Sequence, residues 1–392
     1  MMNISIITFH NTSNFGATLQ CSALYAFLSK LGHNVKVINY LPTYVLDKKS
    51  VFKEIRKVRE SNNKAKALVK GIAYLNFSNS IKRKDARFEK FISEHINTTR
   101  VYSSFAELES SPPISDLYIC GSDQIWNPAL TGDAFDKAYF LQFIDGDKVS
   151  YGASIGELDI ENAKEELCEL TNDFKYISVR EKTSATKLAK ALGREIFTVL
   201  DCTLLLNKDD YIKMEVDTDY LNSKYLLLYN IQNSHTSVEI AQKIAREKNL
   251  KIIDISPNPF VKVADALKLI DIGPGEFLSL FHHAEYVVTN SFHGSVFSII
   301  YEKQFITIPH STRSTRITDL LKSLDLDSRI ALKSGYIDYV PIDYSNVKKN
   351  LQIARSNSIE FLDLLFENEN SKYDAQQKVA SSALSQMNCT NN

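Results

Sequence analysis

The stretch "ISIITFHNTSNFGATLQCSALYAFLSKLGHNVKVINY", residues 4–40, decides the fold class. Ile4–Phe9 is an apolar run typical of a buried strand. Thr18–Leu31 has apolar residues at helical spacing, and Gly32 ends that helix. Val35–Tyr40 is a second strand. Because a strand–helix–strand unit places its two strands parallel, the stretch predicts an α/β protein with a doubly wound sheet.

Apolar runs and helix-period segments continue to alternate along the chain, and they fall into two series on either side of a loop at Asn207–Asp219. We therefore predict two Rossmann-like domains, an N-terminal one over residues 1–206 and a C-terminal one over 207–345. We expect a helix over 346–366 to pack back across both. The polar stretch 367–392 is predicted to be poorly ordered. The predicted strands are Ile4–Phe9, Val35–Tyr40, Leu117–Cys120, Val149–Ala153, Tyr176–Val179, Phe197–Leu200, Tyr225–Asn230, Lys251–Ile255, Tyr286–Thr289 and Phe305–Ile308.

Composition narrows the class of protein. The chain has 392 residues, 44% hydrophobic and 24% charged, with a net charge of −1, so no global field would recruit nucleic acid. Its five cysteines are scattered without metal-ligand spacing, which favours a reducing cytoplasm and predicts no metal site. The N-terminus lacks a signal-peptide pattern, and no apolar run is long enough to span a membrane. We expect a cytoplasmic protein.

One segment departs from this charge balance. Between Asp47 and Lys90, fourteen Lys or Arg face five Asp or Glu. The region at about 48–95 is predicted to be a basic helical arm inserted in the first domain. Residues 48–90 would then attract an anionic membrane at the inner face, each cation contributing about 1 kcal/mol. A solvated helical face is the alternative.

The cleft between the two domains is the expected site, because ligands of such sheets bind at the carboxyl ends of the strands. Two loops of the first domain follow strands and combine turn-forming, polar and aromatic residues that suit a sugar. Ordinary turns and helix caps are the alternative. Our candidate acceptor-binding residues are His10, Asn11, Asn14, Gly16, Ser122, Asp123, Gln124 and Trp126.

In the second domain, "TNSFHGS" follows the strand Tyr286–Thr289. Ser291 is predicted to cap the next helix, which places His293 beside the positive helix end, where an anion would be favoured. A capped turn with a neutral histidine is the alternative. Arg180 ends the strand Tyr176–Val179 and could bind carboxylate or phosphate oxygens, or form an ion pair with Glu181 or Glu195. The loop "PHSTRSTR" adds three potential cations, His310, Arg313 and Arg316, or is simply an exposed basic loop.

With these loops in view, the chain resembles the polysaccharide pyruvyl transferase family. The resemblance covers most of the chain, and the order and spacing of its motifs carry it. The motifs are "ITFHNTSNFGATLQ", "LGHNVKVINY", "GSDQIWNP", "YFLQF", "SYGASIG", "ISVREKTS", "VLDCTLLL", "TNSFHGSVFSIIYEKQFI" and "RITDLLKSLDLDSR".

The resemblance implies a GT-B-like architecture and transfer of pyruvate from phosphoenolpyruvate to two hydroxyls of a sugar in a bacterial surface-polysaccharide precursor, which could be linked to a lipid diphosphate. A pyruvate ketal forms and phosphate is released. The family's histidine corresponds to His293 and its arginine to Arg180. Many members carry Arg where this chain has Ser291, and we expect Arg313 or Arg316 to supply the charge.

This chemistry needs cations for two anionic groups and one proton donor, but no metal and no cofactor besides phosphoenolpyruvate as co-substrate. Imidazole titrates near neutrality, so His293 is our candidate acid and Arg180 its partner. A sugar-nucleotide glycosyltransferase and a non-catalytic glycan-binding scaffold are the alternative functions. The candidate donor-binding residues are Ser291, Gly294, Ser295, His310, Arg313 and Arg316.

Overall fold

In the computed structural model, the chain forms two parallel β-sheets joined to twelve α-helices within the described residues. The structure describes residues 1–49, 76–309, 315–331 and 340–389, without the side chains of 47–49, 221–222 and 367–389. In this part of the chain, no helix is long and apolar enough to cross a membrane.

The first sheet has seven parallel strands in the order β3–β2–β1–β4–β5–β6–β7. Its strands are β1 Asn3–Ile7, β2 Asn34–Tyr40, β3 Thr98–Tyr102, β4 Leu117–Cys120, β5 Lys148–Ala153, β6 Tyr176–Val179 and β7 Phe197–Thr198. The helices of this part are α1 Phe15–Lys30, α2 Thr43–Lys49, α3 Ser78–His95, α4 Phe105–Ser110, α5 Lys164–Thr171 and α6 Lys182–Leu192. A 3₁₀ segment, Cys202–Leu205, follows β7.

The second sheet has five parallel strands in the order β10–β9–β8–β11–β12. Its strands are β8 Tyr225–Tyr229, β9 Lys251–Asp254, β10 Ala266–Lys268, β11 Tyr286–Thr289 and β12 Gln304–Thr307. The helices are α7 Lys208–Ile212, α8 His235–Glu247, α9 Pro274–His283, α10 Phe292–Ile300, α11 Thr315–Ser323 and α12 Tyr344–Cys389.

The predicted fold class is confirmed, because both sheets have the doubly wound order in which the strand sequence reverses beside the first strand. Central strands such as β4 and β8 are buried along their whole length, as expected for parallel strands covered on both faces. The sequence did not reveal β3 and β10. These are edge strands with several exposed or half-buried positions, so their apolar pattern is weak.

A shared hydrophobic cluster joins the two domains. Phe15, at the start of α1, stacks on Phe277 of α9 with ring centroids 4.5 Å apart. Phe88 of α3 lies 5.2 Å from Phe15 and belongs to the same cluster. The beginning of α1 is therefore fixed against the second domain by aromatic packing.

Helix α3 is the described part of the predicted basic arm, and it is helical as expected. Two of its cations contact the second domain: Arg83 Nε lies 2.7 Å from Oδ2 of Asp271, and Arg87 Nε lies 3.2 Å from Glu276. The helix thus packs between the domains. Residues 50–75 lie outside the described residues, so membrane contact through 48–90 stays a prediction.

Helix α12 packs against both domains. Val347 and Leu351 belong to the hydrophobic cluster that joins the two domains, whereas Phe361 and Leu362 pack with residues of the first sheet. Arg355 donates from Nε to the Leu204 carbonyl at 2.8 Å. The helical backbone continues to Cys389, into the stretch that we predicted to be poorly ordered.

Candidate active site

Helix α10 begins at the carboxyl end of β11, beside the point where the strand order of the second sheet reverses. The Ser291 side chain accepts a hydrogen bond from the Gly294 amide at 3.3 Å. Ser291 is therefore the N-cap that the sequence predicts. His293 lies in the first turn, near the positive end of the helix dipole.

His293 contacts the first domain on two sides. A Cβ atom placed on Gly16, in the first turn of α1, would lie 2.1 Å from Nδ1 of His293, so only glycine leaves room for the ring. On the other side, Nε2 of His293 lies 3.7 Å from Oδ2 of Asp201. Nε2 has no hydrogen-bond partner in the described part of the chain. The imidazole of the second domain is thus positioned by the first.

Asp201 is a buried carboxylate at the carboxyl edge of the first sheet. Its Oδ1 accepts hydrogen bonds from the Thr203 amide at 3.0 Å and the Thr203 hydroxyl at 2.6 Å. Its Oδ2 contacts Nη1 of Arg180. Burial opposes ionisation, but Arg180 and His293 outweigh it and hold the pKa of Asp201 well below its usual range.

Arg180 is held by two carboxylates of its own domain, Asp201 and Asp123. Its Nη2 lies 3.6 Å from Oδ1 of Asp123, and its side chain is only 3% exposed. Burial opposes the charge of the guanidinium, but the two carboxylates outweigh it and raise the pKa of Arg180. Among the described residues, Arg180 forms no ion pair within 4.0 Å with Glu181 or Glu195, the alternative partners, although Glu181 is near enough to help raise its pKa.

A cavity of about 360 Å³ lies in the cleft beside His293. This volume suits a small ligand. The cavity unites loops of the first domain with the beginning of α10 and one side chain each from α3 and α11. Its lining residues are Ser13, Asn14, Phe15, Ala17, Lys84, Asp123, Gln124, Tyr229, Ile231, Pro257, Ser291, Phe292, His293 and Arg316. Six of the predicted site residues meet here: Asn14, Asp123, Gln124, Ser291, His293 and Arg316.

A second cavity, of about 840 Å³, opens on the other side of Phe292 and Arg316, between α6, α11 and α12. Arg180, Asp201 and Asp319 line it, so the structure places Arg180 at this cavity. Within the described residues, Nε and Nη2 of Arg180 and Oδ2 of Asp319 are buried without a hydrogen-bond partner.

Arg316 separates the two cavities and contributes to both. Its Nε lies 3.9 Å from Oε1 of Glu181, and the side-chain amide of Gln124 lies 2.9 Å from its Nη2. The ring of Phe292 lies 5.7 Å from its guanidinium carbon. Burial and the neighbouring Arg180 lower the pKa of Arg316.

Four predicted site residues are structural instead. Trp126 is fully buried, donates from Nε1 to the Tyr139 carbonyl at 3.0 Å and stacks on Phe140, so its faces are not open to a sugar. The others are also buried, and their polar atoms bond within their own domains. His10 pairs with Thr8 and Asn39, Ser122 donates to the Gly152 carbonyl, and Ser295 bonds with Ser291 and Thr307.

The two predicted glycines serve packing. Gly16 makes room for His293, and a Cβ on Gly294 would lie 2.2 Å from the Thr289 hydroxyl. The Gly294 amide already donates to the Ser291 hydroxyl, so it is not free to bind an anion, contrary to the prediction. Asn11 is half-buried in the loop before α1. His310 and Arg313 lie outside the described residues.

One group in the described part of the chain could hold a metal ion: ligand atoms of Glu215, His282 and His283 lie within 4.8 Å of one another. His282 is bonded to Glu215 through Nδ1 at 3.1 Å, and the pKa of His282 is lowered by burial. The group lines neither cavity. The absence of a metal requirement stays a prediction.

Sequence reasoning missed two charged residues of the site, Asp201 and Lys84. Asp201 had a signal, because it stands directly after a predicted strand inside the apolar run "VLDCTLLL". Lys84 had none, since it is one of many cations in a polar helix. Only the packing of α3 against α1 brings it to the cavity.

Two facing Rossmann-like domains with a charged, ligand-sized cleft define an enzyme-like GT-B architecture. The family model of polysaccharide pyruvyl transferase matches residues 14–312, and the chain belongs to this family. It is therefore a transferase by family. A comparison with curated proteins finds no match.

Similar solved structures include the putative UDP-N-acetylglucosamine 2-epimerase of Listeria monocytogenes, 11% identical over 91% of this chain and 89% of that one, with a TM-score of 0.47. The UDP-GlcNAc 2-epimerase of Methanocaldococcus jannaschii is 14% identical over 93% and 100%, with a TM-score of 0.46. The glycotransferase of kitacinnamycin is 11% identical over 93% and 98%, with a TM-score of 0.46.

Proposed function

We propose that this chain transfers pyruvate from phosphoenolpyruvate to two hydroxyls of a sugar in a bacterial surface-polysaccharide precursor. The product is a pyruvate ketal, and phosphate is released. The observation that carries the proposal is the meeting of His293 and Arg316 at one cavity of about 360 Å³, at the beginning of a helix and between two domains. An anionic donor and a proton donor would be brought together there.

In this proposal His293 delivers a proton to the methylene carbon of the donor, which gives an oxocarbenium-like centre. One sugar hydroxyl adds to that centre and loses its proton; phosphate leaves; and the second hydroxyl adds and loses its proton. One of the two hydroxyl protons restores the histidine, and the other balances the departing phosphate. Oδ2 of Asp201 lies 3.7 Å from Nε2 and holds the imidazole in position for this step.

Arg180 is a positioning residue in this scheme. Its contacts with Asp201 and Asp123 hold these two carboxylates in place, and Asp201 in turn orients His293. The Arg180 side chain also lines the larger cavity. This revises the direct contact between Arg180 and the donor that the resemblance implied.

Asn14, Asp123 and Gln124 line the smaller cavity from the first domain and are the candidates for binding the acceptor sugar. Carboxylate and amide groups suit this role, because each can bond to hydroxyl groups. We further propose that the acceptor is carried on a lipid diphosphate at the inner face of the membrane. The basic arm would then attract anionic lipid.

The test is acceptor-dependent release of phosphate from phosphoenolpyruvate. His293→Ala should lower kcat at least 100-fold, in the range of general acid catalysis. His235→Ala is the matched control, because His235 is a surface histidine whose side chain is 89% exposed. If His293→Ala releases phosphate as fast as the control, His293 is not the acid.

The glycosyltransferase alternative is separated from this proposal by thermal stabilisation. Pyruvyl transfer predicts that phosphoenolpyruvate raises the Tm, because a ligand that binds only the native state stabilises it. Stabilisation by nucleotide sugars alone would favour glycosyl transfer. Stabilisation by glycans alone, without turnover of either donor, would favour the scaffold.

A further inference from the structure

Lys84 extends from helix α3 into the smaller cavity. Its Nζ lies 4.9 Å from the ring centroid of Phe15 and 5.5 Å from that of Phe88. These rings belong to the aromatic cluster that joins the two domains. The amino group therefore lies over two aromatic rings, at the place where α3 lines one side of the cavity.

The other cations near the cavity are already close to carboxylates. Arg180 contacts Asp201 and Asp123, and Arg316 lies 3.9 Å from Glu181. By contrast, Lys84 makes no ion pair within 4.0 Å anywhere in the described chain. Its neighbour Asp85 is engaged by the Ser13 hydroxyl.

Lys84 is half-buried, and an ammonium group that loses part of its water is costly unless an anion accompanies it. We propose that Lys84 binds an acidic group of the donor, its phosphate or its carboxylate, and is therefore a donor-binding residue contributed by the helical arm. This inference rests on the proposed function. It gives the arm a role in the reaction that is separate from any contact with a membrane.

The proposal has a consequence for pH. Burial lowers the pKa of Lys84 to about 8, and Asp85 opposes that shift in part. The cation is present below this pH and is lost above it, so donor binding should weaken as the pH rises through about 8. A phosphate monoester completes its ionisation near pH 6, so the donor's charge is constant over this range. The other charged or titratable groups that line the cavity are Asp123, Tyr229, His293 and Arg316, and burial raises the pKa of Tyr229 well above the range of this test.

The test is equilibrium binding of phosphoenolpyruvate, by calorimetry, to the full chain. Lys84→Met keeps the alkyl stem over Phe15 and Phe88 but removes the charge. Lys82→Met is the matched control, since Lys82 is exposed on the same helix. We expect Kd to rise about 10- to 100-fold in Lys84→Met, as for loss of a charge-assisted contact, and to stay unchanged in Lys82→Met.

Lys84→Arg keeps the cation at high pH. We expect it to bind the donor and to lose the weakening above about pH 8 that the wild type shows. Lys84→Met should also lack this pH dependence, at its weaker affinity. A structural role alone would lower the Tm of Lys84→Met without changing Kd or its pH profile.

The outcomes separate this inference from the proposed function. If the wild type binds phosphoenolpyruvate and Lys84→Met binds it equally well, the role of Lys84 is wrong and the proposed function stands. If the wild type does not bind phosphoenolpyruvate, both are wrong. If Lys84→Met does not fold, a pH-independent Kd in the wild type overturns the inference.

Discussion

Replacing Gly16 with alanine should push the beginning of α1 and the His293 ring apart at the place of the proposed chemistry. The added Cβ would lie 2.1 Å from Nδ1, 2.6 Å from Cε1 and 2.7 Å from Cγ of His293, whereas ordinary contact begins at 3.4 Å. The methyl group and the ring must therefore move apart by about 1.3 Å. Asp201 lies behind the ring, and Phe15 is stacked on Phe277, so neither side can move without losing contacts.

The size of the effect follows from this displacement. Overpacking of a fitted site costs about 1–3 kcal/mol of folding free energy. A misplacement of about 1 Å in a catalytic group lowers the rate about 100-fold. We therefore expect Gly16→Ala to lose about 100-fold in kcat with only a modest loss of stability.

The assay is phosphate release together with thermal unfolding. Gly146→Ala is the matched control, because the nearest atom to its added Cβ is 3.6 Å away, on Tyr118. The double variant Gly16→Ala with His293→Ala removes the ring that clashes. It should recover the Tm but not the activity. Comparison of its stability with those of the two single variants gives the coupling energy between the two positions.

Two results would refute this reasoning. One is a Gly16→Ala protein that turns over like Gly146→Ala, since His293 would then not need its observed position. The other is a double variant that is no more stable than Gly16→Ala alone, since the strain would then lie elsewhere in α1.

Three further predictions concern the surroundings of the cleft. Asp201→Asn should lower the free energy of unfolding by about 3–5 kcal/mol at neutral pH, because Arg180 loses its fully buried partner. The folded-state pKa of Asp201 is depressed, so the stabilisation by its carboxylate is complete above the unfolded-state pKa and is lost as the pH falls. In denaturant unfolding, the difference in free energy of unfolding between the wild type and the variant should therefore narrow below about pH 4. Trp126→Ala should lower the free energy of unfolding by about 3–5 kcal/mol, whereas Trp126→Phe should keep the KM for the acceptor. A KM raised in Trp126→Phe without loss of stability would restore the sugar-binding role of Trp126. Arg316→Met should raise the Kd for phosphoenolpyruvate about 10- to 100-fold in calorimetry, and an unchanged Kd would place the donor elsewhere.

The sequence was informative where local physics decides the structure. Continuous apolar runs such as β8, alternating with helix-period segments, fit parallel strands covered on both faces, so the two sheets were predictable. The cap at Ser291 was predictable too, because a hydroxyl before an apolar helix meets the free amides of the first turn. Because His293 is two residues after this cap, its position in the first helical turn was predictable as well.

The sequence was not informative where tertiary packing decides. Trp126 follows a polar loop, and the same pattern serves a sugar platform or a core aromatic; only the stacking on Phe140 shows which one it is. Lys84 is one of fourteen cations in its segment, and the contact of α3 with Phe15 selects it. Both outcomes depend on contacts between residues far apart in the chain.

Pyruvyl transfer is tested most directly by mass spectrometry of surface-glycan precursors incubated with the protein and carbon-labelled phosphoenolpyruvate. We predict that one precursor gains the mass of labelled pyruvate less one water, with one phosphate released per product, and that His293→Ala abolishes the gain while His235→Ala keeps it. A precursor that gains nothing from phosphoenolpyruvate but gains a sugar from a nucleotide sugar would contradict the proposed function.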